Sequence, residues 1–379
     1  MIGWMIVLAV VTAVVLAFAN GSNDNAKGVA TLIGSRVMSL NKAIIFAAIM
    51  TFLGSVAAIF LAGELANRFG GKGIVDAATV GNMAFPISVG IGASLTVLLA
   101  TVIGMPISTT HGMVGSIVGI GVSSSSLNWS AAANKFFIPL LISPVIAISL
   151  AAGVYLVLRT LRRRMGLSRQ TCLCVGNEYH PVSQTAGGAL CMESTGVTLR
   201  ADQTQACQQR YVGRFTGVDA QRVLDVAHTL SAGALSFGRG LNDTSKIAAV
   251  MIAAGVVGGS SFVGGLGSPG ALVITGLGIA LGGVLAVKRV ARTMSYRITE
   301  MNDGQAFTAN FVTAGLVIFA SKLGMPVSTT HVSCGSLFGI GMVNRRAHLG
   351  TIGKVLLAWV TTLPVAAVLA GLTWRLLGG

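Results

Sequence analysis

Long apolar runs dominate the chain and predict helices that cross a membrane. Five runs come close to the roughly 20 residues that an α-helix needs to span the hydrocarbon core. They cover residues 2–19, 43–62, 136–158, 271–287 and 355–369. The first run has no basic leader and no small-residue cleavage site, so we expect a retained span rather than a removed signal peptide.

Two polar phrases interrupt these runs, and each phrase occurs twice. Asn-Gly-Ser-Asn-Asp-Asn-Ala-Lys-Gly at 20–28 returns as Arg-Gly-Leu-Asn-Asp-Thr-Ser-Lys at 239–246, 219 positions later. Gly-Met-Pro-Ile-Ser-Thr-Thr-His at 104–111 returns as Gly-Met-Pro-Val-Ser-Thr-Thr-His at 324–331, 220 positions later. The shared offset indicates a tandem duplication in which each half keeps one Asn-Asp break and one Ser-Thr-Thr-His break.

The composition agrees with a polytopic helical membrane protein. Hydrophobic residues make up 53% of the chain and charged residues only 10%, where a soluble protein carries about 25% charge. The 50 glycines favour tightly packed and broken helices over barrel strands. The net charge of +15 does not indicate a nucleic-acid partner, because 17 of the 26 basic residues lie in four interhelical segments. That distribution is typical of the positive-inside rule.

Loop charges predict that the two halves are inverted in the membrane. The loop after the first break is basic in the first half, with Arg36 and Lys42, but neutral in the second half at 255–270. The loop after the second break is neutral in the first half at 123–126 and basic in the second, with Arg345-Arg346. Equivalent loops therefore lie on opposite sides of the membrane.

These observations predict an all-α polytopic membrane protein with two inverted-topology repeats. We expect about ten to twelve transmembrane helices, some of them broken, and two re-entrant hairpins. The predicted parts are membrane repeat 1 at 1–160, a cytoplasmic polar linker at 161–220 and membrane repeat 2 at 221–379. The protein is predicted in the cell (inner) membrane, with the central segment cytoplasmic and both termini extracytoplasmic.

The central segment carries four of the five cysteines: Cys172, Cys174, Cys191 and Cys207. In a reducing cytosol we expect thiols rather than disulfides. The spacing fits no common zinc pattern, although His180 is near in sequence. A plain linker or a small regulatory loop is therefore favoured over a metal or redox site.

The Asn-Asp phrase places a carboxylate at membrane depth in each half. A buried carboxylate there is costly unless it is paired, protonated or bound to a cation. Glycines in the phrase permit the unwound backbone of an ion site. We expect Asp24 and Asp243 to hold a coupling ion or proton, with Asn23 and Asn242 adding neutral polar groups to a substrate site.

The Ser-Thr-Thr-His phrase predicts an anion site. Gly-Met-Pro ends one helix, and the following hydroxyl residues cap the next helix, whose N-terminus presents free N–H groups and partial positive charge. His111 and His331 are expected to orient the loop, with proton transfer as the alternative. The predicted substrate-binding hydroxyls are Ser108, Thr109, Thr110, Ser328, Thr329 and Thr330.

The phrases resemble those of the inorganic phosphate transporter family (the Pit/Pho4 type), which also includes sulfate permeases. Its mark is Gly-Ala-Asn-Asp-Val-Ala-Asn near the start of each half, with Pro-Val-Ser-Thr-Thr-His further on. Residues 21–26 and 240–243 match the first phrase, and 106–111 and 326–331 match the second. The likeness covers nearly the whole chain except 165–215. It implies inverted repeats, a phosphate site where the two hairpins meet, and cotransport driven by sodium ions or protons.

Lys27 and Lys246 depart from the family pattern, because the family usually has an asparagine at both positions. A lysine ammonium beside Asp24 or Asp243 would take the place of a sodium ion or pair with the oxyanion. Proton coupling or exchange is therefore favoured over sodium coupling. The alternative is that both lysines extend to an interface as ordinary charges.

The sequence thus favours a secondary active transporter of inorganic phosphate with alternating access around a midplane site. A sulfate permease of the same family is the first alternative, and an uncoupled anion channel is disfavoured by the paired carboxylates. The chain lacks Gly-x-Ser-x-Gly, His-Glu-x-x-His and Walker lysine motifs, so we expect no enzyme and no cofactor. Expected partners are phosphate or sulfate, a coupling cation (H⁺ or Na⁺) and the lipid bilayer. The sequence allows a homo-oligomer but does not specify the oligomeric state.

Overall fold

The chain is largely helical in a computed structural model, which describes residues 2–61, 63–184, 190–259, 267–296 and 301–378.

It divides into two units. The larger unit comprises Met1–Tyr155 and Leu230–Gly379, and the smaller unit comprises Leu156–Thr229. The membrane-embedded phrases of both halves therefore belong to one unit. The division at 160 and 220 that the sequence suggested stays a prediction.

The described residues up to 164 form nine α-helices. They are α1 (Ile2–Asp24), α2 (Ala30–Gly34), α3 (Leu40–Leu61), α4 (Gly63–Phe69), α5 (Ala77–Val80), α6 (Ala84–Ile103), α7 (Thr109–Ser123), α8 (Trp129–Ala132) and α9 (Ile138–Arg164). A 3₁₀ turn at Asn25–Gly28 follows α1, and a π turn at Ala133–Phe137 joins α8 to α9.

The remaining described helices follow the smaller unit's first two strands. They are α10 (Thr204–Arg210), α11 (Ala220–Gly258), α12 (Gly267–Leu285), α13 (Lys288–Tyr296), α14 (Asp303–Lys322), α15 (Thr329–Asn344) and α16 (Leu349–Leu376).

Six of the described helical stretches are long and apolar enough to cross a membrane: Gly3–Gly28, Leu40–Leu61, Ala84–Ile103, Trp129–Arg164, Asp303–Lys322 and Leu349–Leu376. Pro269–Leu285 and Lys288–Tyr296, bent by 70°, add a seventh if they form one span. This number is lower than the ten to twelve expected. Helices α7 and α15 have only 15 and 16 residues, too short for a full crossing. The 39-residue α11 carries three buried charges.

In helix α3 most of the buried residues are small, and large apolar residues are exposed on the opposite side. Helix α3 buries Ala47, Thr51 and Ala58 on one side and exposes Ile49 and Leu53 on the other. Hydrocarbon surroundings give no hydrophobic reason to bury leucine, so close packing of small residues drives helix association instead. This pattern agrees with the membrane prediction.

Two glycines at equivalent positions allow the closest helix contacts around the polar phrases. A Cβ on Gly21 would lie 1.9 Å from the carbonyl oxygen of Ile279, and a Cβ on Gly240 would lie 2.0 Å from that of Thr51. Both distances are far below van der Waals contact. Each Asn-Asp segment is therefore held against a neighbouring helix backbone at a point where no side chain fits.

Replacing Gly21 or Gly240 with alanine should destabilise the protein. Overpacking of this kind costs about 1–3 kcal/mol, since the obstacle is backbone and not a flexible side chain. We expect a lower unfolding temperature for both variants in detergent, measured by size-exclusion chromatography after heating. Gly315→Ala is the matched control, because a Cβ there meets no atom within 4 Å. Equal thermal behaviour of all three variants would contradict the packing argument.

The two Asn-Asp segments have different backbones. In the first half α1 ends at Asp24 and passes through the 3₁₀ turn into α2. In the second half α11 runs unbroken through Asp243. The expected break there is therefore wrong. The second half has Ile247 where the first half has Gly28, so it lacks the residue that favours leaving the helix.

The two hairpin breaks follow the predicted local geometry. Gly104 and Gly324 adopt φ values of 79° and 66°, the left-handed conformation in which glycine ends a helix. Ser108 and Ser328 then cap α7 and α15, accepting hydrogen bonds from the backbone N–H groups of His111 and His331 at 3.1 and 3.2 Å. The capping prediction is confirmed in both halves.

The smaller unit contains an antiparallel three-stranded sheet. Strands β1 (Thr171–Gln184), β2 (Leu190–Gln203) and β3 (Phe215–Asp219) are arranged in the order β2-β1-β3, with β1 in the centre. Helix α10 joins β2 to β3. A disulfide connects Cys174 and Cys207, so the expectation of free thiols is wrong for this pair. The sequence had predicted a linker or loop here and gave no sign of a sheet.

Candidate functional site

The Asn-Asp segments and the hairpin breaks meet inside the larger unit. Five charged side chains are buried in the described part of that unit, each no more than 2% exposed: Asp24, Lys27, Arg239, Asp243 and Lys246. Charges removed from water in this way are tolerated only when other charges and dipoles compensate them. Their contacts therefore determine what the site can do.

Lys27 is enclosed by oxygen atoms from both halves. Its Nζ donates to the carboxylate of Asp24, to the carbonyl oxygen of Ile107 at 2.8 Å and to the hydroxyl of Thr330 at 2.5 Å. All three donor hydrogens of the ammonium group are thereby used. Lys27 does not extend to an interface.

Lys246 has the same surroundings in the second half. Its Nζ donates to the carbonyl oxygen of Val327 at 2.7 Å, to the hydroxyl of Thr110 at 2.8 Å and to Asp243 Oδ1 at 3.4 Å. Positions 27 and 246 are offset by 219, whereas 107 and 327, and 110 and 330, are offset by 220.

The two lysine sites thus repeat one crosswise pattern. Each ammonium contacts the carboxylate three residues earlier, a carbonyl oxygen from the hairpin of its own half and a threonine hydroxyl from the hairpin of the other half. Carboxylate, carbonyl and hydroxyl oxygens are also the ligands that a hard metal cation takes in proteins. The lysines fill positions suited to a small cation.

Asn20 joins the two carboxylates and is a site residue that the sequence reasoning missed. Its Nδ2 lies 3.3 Å from Asp24 Oδ2, 3.3 Å from Asp243 Oδ2 and 3.0 Å from the hydroxyl of Thr109. Asn20 precedes Asp24 by one helical turn, which was the available signal. No pattern in the sequence near Asn20 indicates its contact with Asp243.

Arg239 stands where the first half has Asn20. Its Nη2 donates to Asn25 Oδ1 at 3.0 Å and to the hydroxyl of Thr51 at 2.5 Å. Its Nε and Nη1 are buried without a hydrogen-bond partner among the described residues. Since Lys27 and Lys246 are each paired with a carboxylate, Arg239 gives the five-residue cluster a net charge of +1.

The hairpin tips touch each other at the centre. Ser328 Oγ donates to Ser108 Oγ at 2.8 Å, and the rings of His111 and His331 lie 4.4 Å apart. His331 also stacks on Trp359 at 3.9 Å. These ring contacts fit the predicted orienting role of the histidines.

The predicted asparagines hold the hairpins rather than point into open space. The Asn23 side-chain amide donates to the hydroxyl of Thr101 at 3.1 Å and to the carbonyl oxygen of Met105 at 2.9 Å, and its Oδ1 accepts from the N–H of Ile107. Asn242 Nδ2 makes one long contact, 3.5 Å to the carbonyl oxygen of Val327. Asn242 Oδ1 is buried without a partner in the described ranges.

The remaining predicted hydroxyls also lie in this cluster. Thr329 Oγ1 donates to Asp243 Oδ2 at 3.5 Å, and Thr330 Oγ1 donates to the carbonyl oxygen of Ile107 at 2.6 Å. The structure therefore brings together all the predicted serines and threonines, both aspartates and both lysines. Two helix N-termini, several hydroxyls and a net positive charge suit an oxyanion. The carboxylates suit a cation or a proton.

Comparisons with known proteins identify the family of the chain. Residues 6–370 match the profile of the phosphate transporter family. A protein of Rhizobium meliloti named as a probable low-affinity inorganic phosphate transporter is 28% identical, and the alignment covers 98% of this chain and 96% of that protein. The chloroplastic inorganic phosphate transporter 2-1 of Arabidopsis thaliana is 27% identical over 95% of this chain and 70% of its own.

A solved structure has the same fold. It is described as the sodium-dependent phosphate transporter and matches with a TM-score of 0.75 and 21% identity, covering 99% of both chains. The resemblance seen in the repeated phrases is thereby confirmed over the length of the chain. This chain is a multi-pass membrane protein of the phosphate transporter family.

Proposed function

We propose that this chain is a secondary active transporter of inorganic phosphate, driven by protons or by exchange, with alternating access around the site where the hairpin tips meet. The anion binds between the N-termini of α7 and α15 and replaces the contact between Ser108 and Ser328. No sodium ion is required.

The crosswise lysine contacts are the observation that carries this proposal. Each lysine belongs to one half and contacts a hairpin of the other, so movement of one half against the other must change both sites. Equivalent contacts made in both directions also support the inverted-repeat arrangement. In such transporters the two repeats rock around a fixed midplane site.

The same contacts support coupling without sodium. Lys27 and Lys246 occupy the oxygen-lined positions where the family usually has asparagine, and each carries a full positive charge. A sodium ion entering either position would meet that charge in surroundings of low dielectric constant. Asp24 and Asp243 are then the groups that take up and release a proton.

The direction of one carboxylate favours phosphate over sulfate. Asp243 Oδ2 lies 3.5 Å from Thr329 Oγ1, at the first turn of the hairpin helix that would bind the anion. Phosphate keeps a protonated oxygen near neutral pH and can donate to that carboxylate. Sulfate has no proton to donate there, so it leaves two negative groups facing each other.

Uptake into proteoliposomes tests the proposal directly. The purified protein is reconstituted, and phosphate or sulfate uptake is followed under a proton gradient or a sodium gradient imposed separately. We expect phosphate to accumulate above the bath concentration with the proton gradient or by exchange with internal phosphate. We expect a sodium gradient to leave the uptake unchanged. Liposomes without protein give the background.

Each other outcome would point to a different function. Accumulation of sulfate but not phosphate would identify the sulfate permease alternative. Flux that only equilibrates the two sides under every gradient would indicate an uncoupled channel. Accumulation that requires sodium would show that the lysines do not replace the cation.

A further inference from the structure

Three buried cysteines meet in the core of the smaller unit. Cys172 and Cys174 are two positions apart on β1 and so project from the same face of the strand. Cys207 lies on α10. The three Sγ atoms all lie within 4.8 Å of one another. Cys172 is a free thiol, whereas the other two form the disulfide.

The core around these cysteines is small. It consists of the three cysteines and Tyr211, with Phe215 packed against it. A unit of about 70–80 residues or fewer rarely gains enough stability from its hydrophobic core alone and is commonly held by disulfides or a metal ion. The cysteine cluster is therefore the element that holds this sheet to α10.

The predicted location of the smaller unit indicates whether a disulfide or a metal ion holds it together. Nine arginines between residues 159 and 222 place the unit in the cytoplasm by the positive-inside rule. The cytosol keeps cysteines reduced. Reduction would turn the disulfide into two thiols beside a third thiol, all within the same small volume.

We propose that, when reduced, Cys172, Cys174 and Cys207 bind one zinc ion that holds the smaller unit together. Zinc–thiolate bonds are about 2.3 Å long, so sulfur ligands of a tetrahedral site lie about 3.8 Å apart. On reduction the Cys174 and Cys207 sulfur atoms would move apart to that spacing, while the Cys172 sulfur already lies within 4.8 Å of both. This inference concerns the smaller unit and does not depend on which anion is transported.

Asp219 would supply the fourth ligand by turning its carboxylate toward the three sulfur atoms, which form the present grouping without it. It pairs with Cys172 across β1 and β3 and interacts with the Cys172 thiol. The hydroxyl of Thr204 donates to Asp219 Oδ1 at 3.1 Å, which orients the carboxylate. Asp219 is only half-buried, so its oxygen can turn toward the sulfur atoms without breaking a tightly packed core.

The chemistry balances with a cellular dithiol as the reductant. The dithiol gives two electrons and two protons to the Cys174–Cys207 bond, forming two thiols while the reductant becomes a disulfide. Zinc then binds as the three cysteines lose their thiol protons to solvent. The oxidised unit keeps its disulfide, so of these three cysteines only Cys172 is left as a thiol ligand.

Metal binding to the full-length protein tests the proposal. The protein is purified in detergent, reduced without oxygen and titrated with Co²⁺ as a spectroscopic probe and with Zn²⁺. We expect one metal per chain, with the sulfur-to-cobalt charge-transfer band and the intense visible bands of a tetrahedral site. Cys172→Ser and Cys207→Ser should lose stoichiometric binding. Cys334→Ser should keep it, because Cys334 is a buried thiol of the larger unit.

A second measurement uses the wild-type protein, so its result does not depend on whether a cysteine variant folds. Reduced wild-type protein is alkylated with and without Zn²⁺, and mass spectrometry locates the modified cysteines. Protection of Cys172, Cys174 and Cys207 by zinc supports the site. The proposal is overturned if cobalt shows no sulfur band, if zinc protects none of the three, or if the Cys174–Cys207 bond survives the reductant.

Discussion

Asp24→Asn and Asp243→Asn are each expected to abolish accumulation of phosphate. Each change leaves a buried lysine with no carboxylate, and removing one partner of a buried ion pair costs about 3–5 kcal/mol. It also removes the group proposed to carry the proton. Uptake against a gradient should fall to the background of protein-free liposomes, because no carboxylate is left at that position to couple a proton to transport. Proteoliposome uptake measures the loss of transport, and thermal unfolding in detergent measures the loss of stability.

The two effects can be separated by removing the whole pair. Asp24→Asn combined with Lys27→Gln leaves no unpaired charge at that position, so stability should largely return. Accumulation should not return, because the carboxylate is still missing. Near-normal uphill transport by both single variants would exclude the aspartates as coupling groups, whatever their stability.

The double variant Lys27→Asn and Lys246→Asn is expected to become sodium-dependent. It restores the residue that the family usually has at both positions and empties two oxygen-lined sites of their built-in charge. A sodium ion can then bind beside Asp24 and Asp243. We expect sodium to stimulate phosphate uptake by about tenfold or more, equivalent to roughly 1.4 kcal/mol of coupling free energy.

The measurement compares uptake in sodium with uptake in potassium at equal ionic strength. Lys288→Asn is the matched control, since Lys288 is exposed and lies outside the cluster. The control should stay indifferent to sodium. A double variant that transports phosphate equally well in both salts would remove the lysine explanation, while leaving the phosphate cargo untouched.

Local signals predicted the hairpin breaks well. Gly104 and Ser108 act on their immediate neighbours, one by a left-handed turn and the other by capping three residues on. The duplication then predicted the same geometry in the second half. Backbone geometry that depends on residues near each other in the chain could therefore be predicted directly from the sequence.

Contacts between residues far apart in the chain could not be predicted from the local sequence. Asn20 reaches Thr109, 89 positions away, and Asp243, 223 positions away. Nothing in the spacing of the chain specifies those distances. The sheet of the smaller unit was missed for a different reason. On β1 the buried positions are Cys172 and Cys174 while Leu173 and Val175 are exposed, so the strand lacks the apolar–polar alternation that indicates a half-buried sheet.

The enclosure of Lys27 and Lys246 has a consequence for the charge moved in each transport cycle. A dissolved ion enters on one side and leaves on the other, adding its charge to the current. A side chain is covalently attached and returns with the protein, so it contributes no net charge over a full cycle. In the proposed mechanism the current per phosphate is then set by the anion and its accompanying protons alone. Electrical recordings at different membrane potentials would therefore count those protons directly.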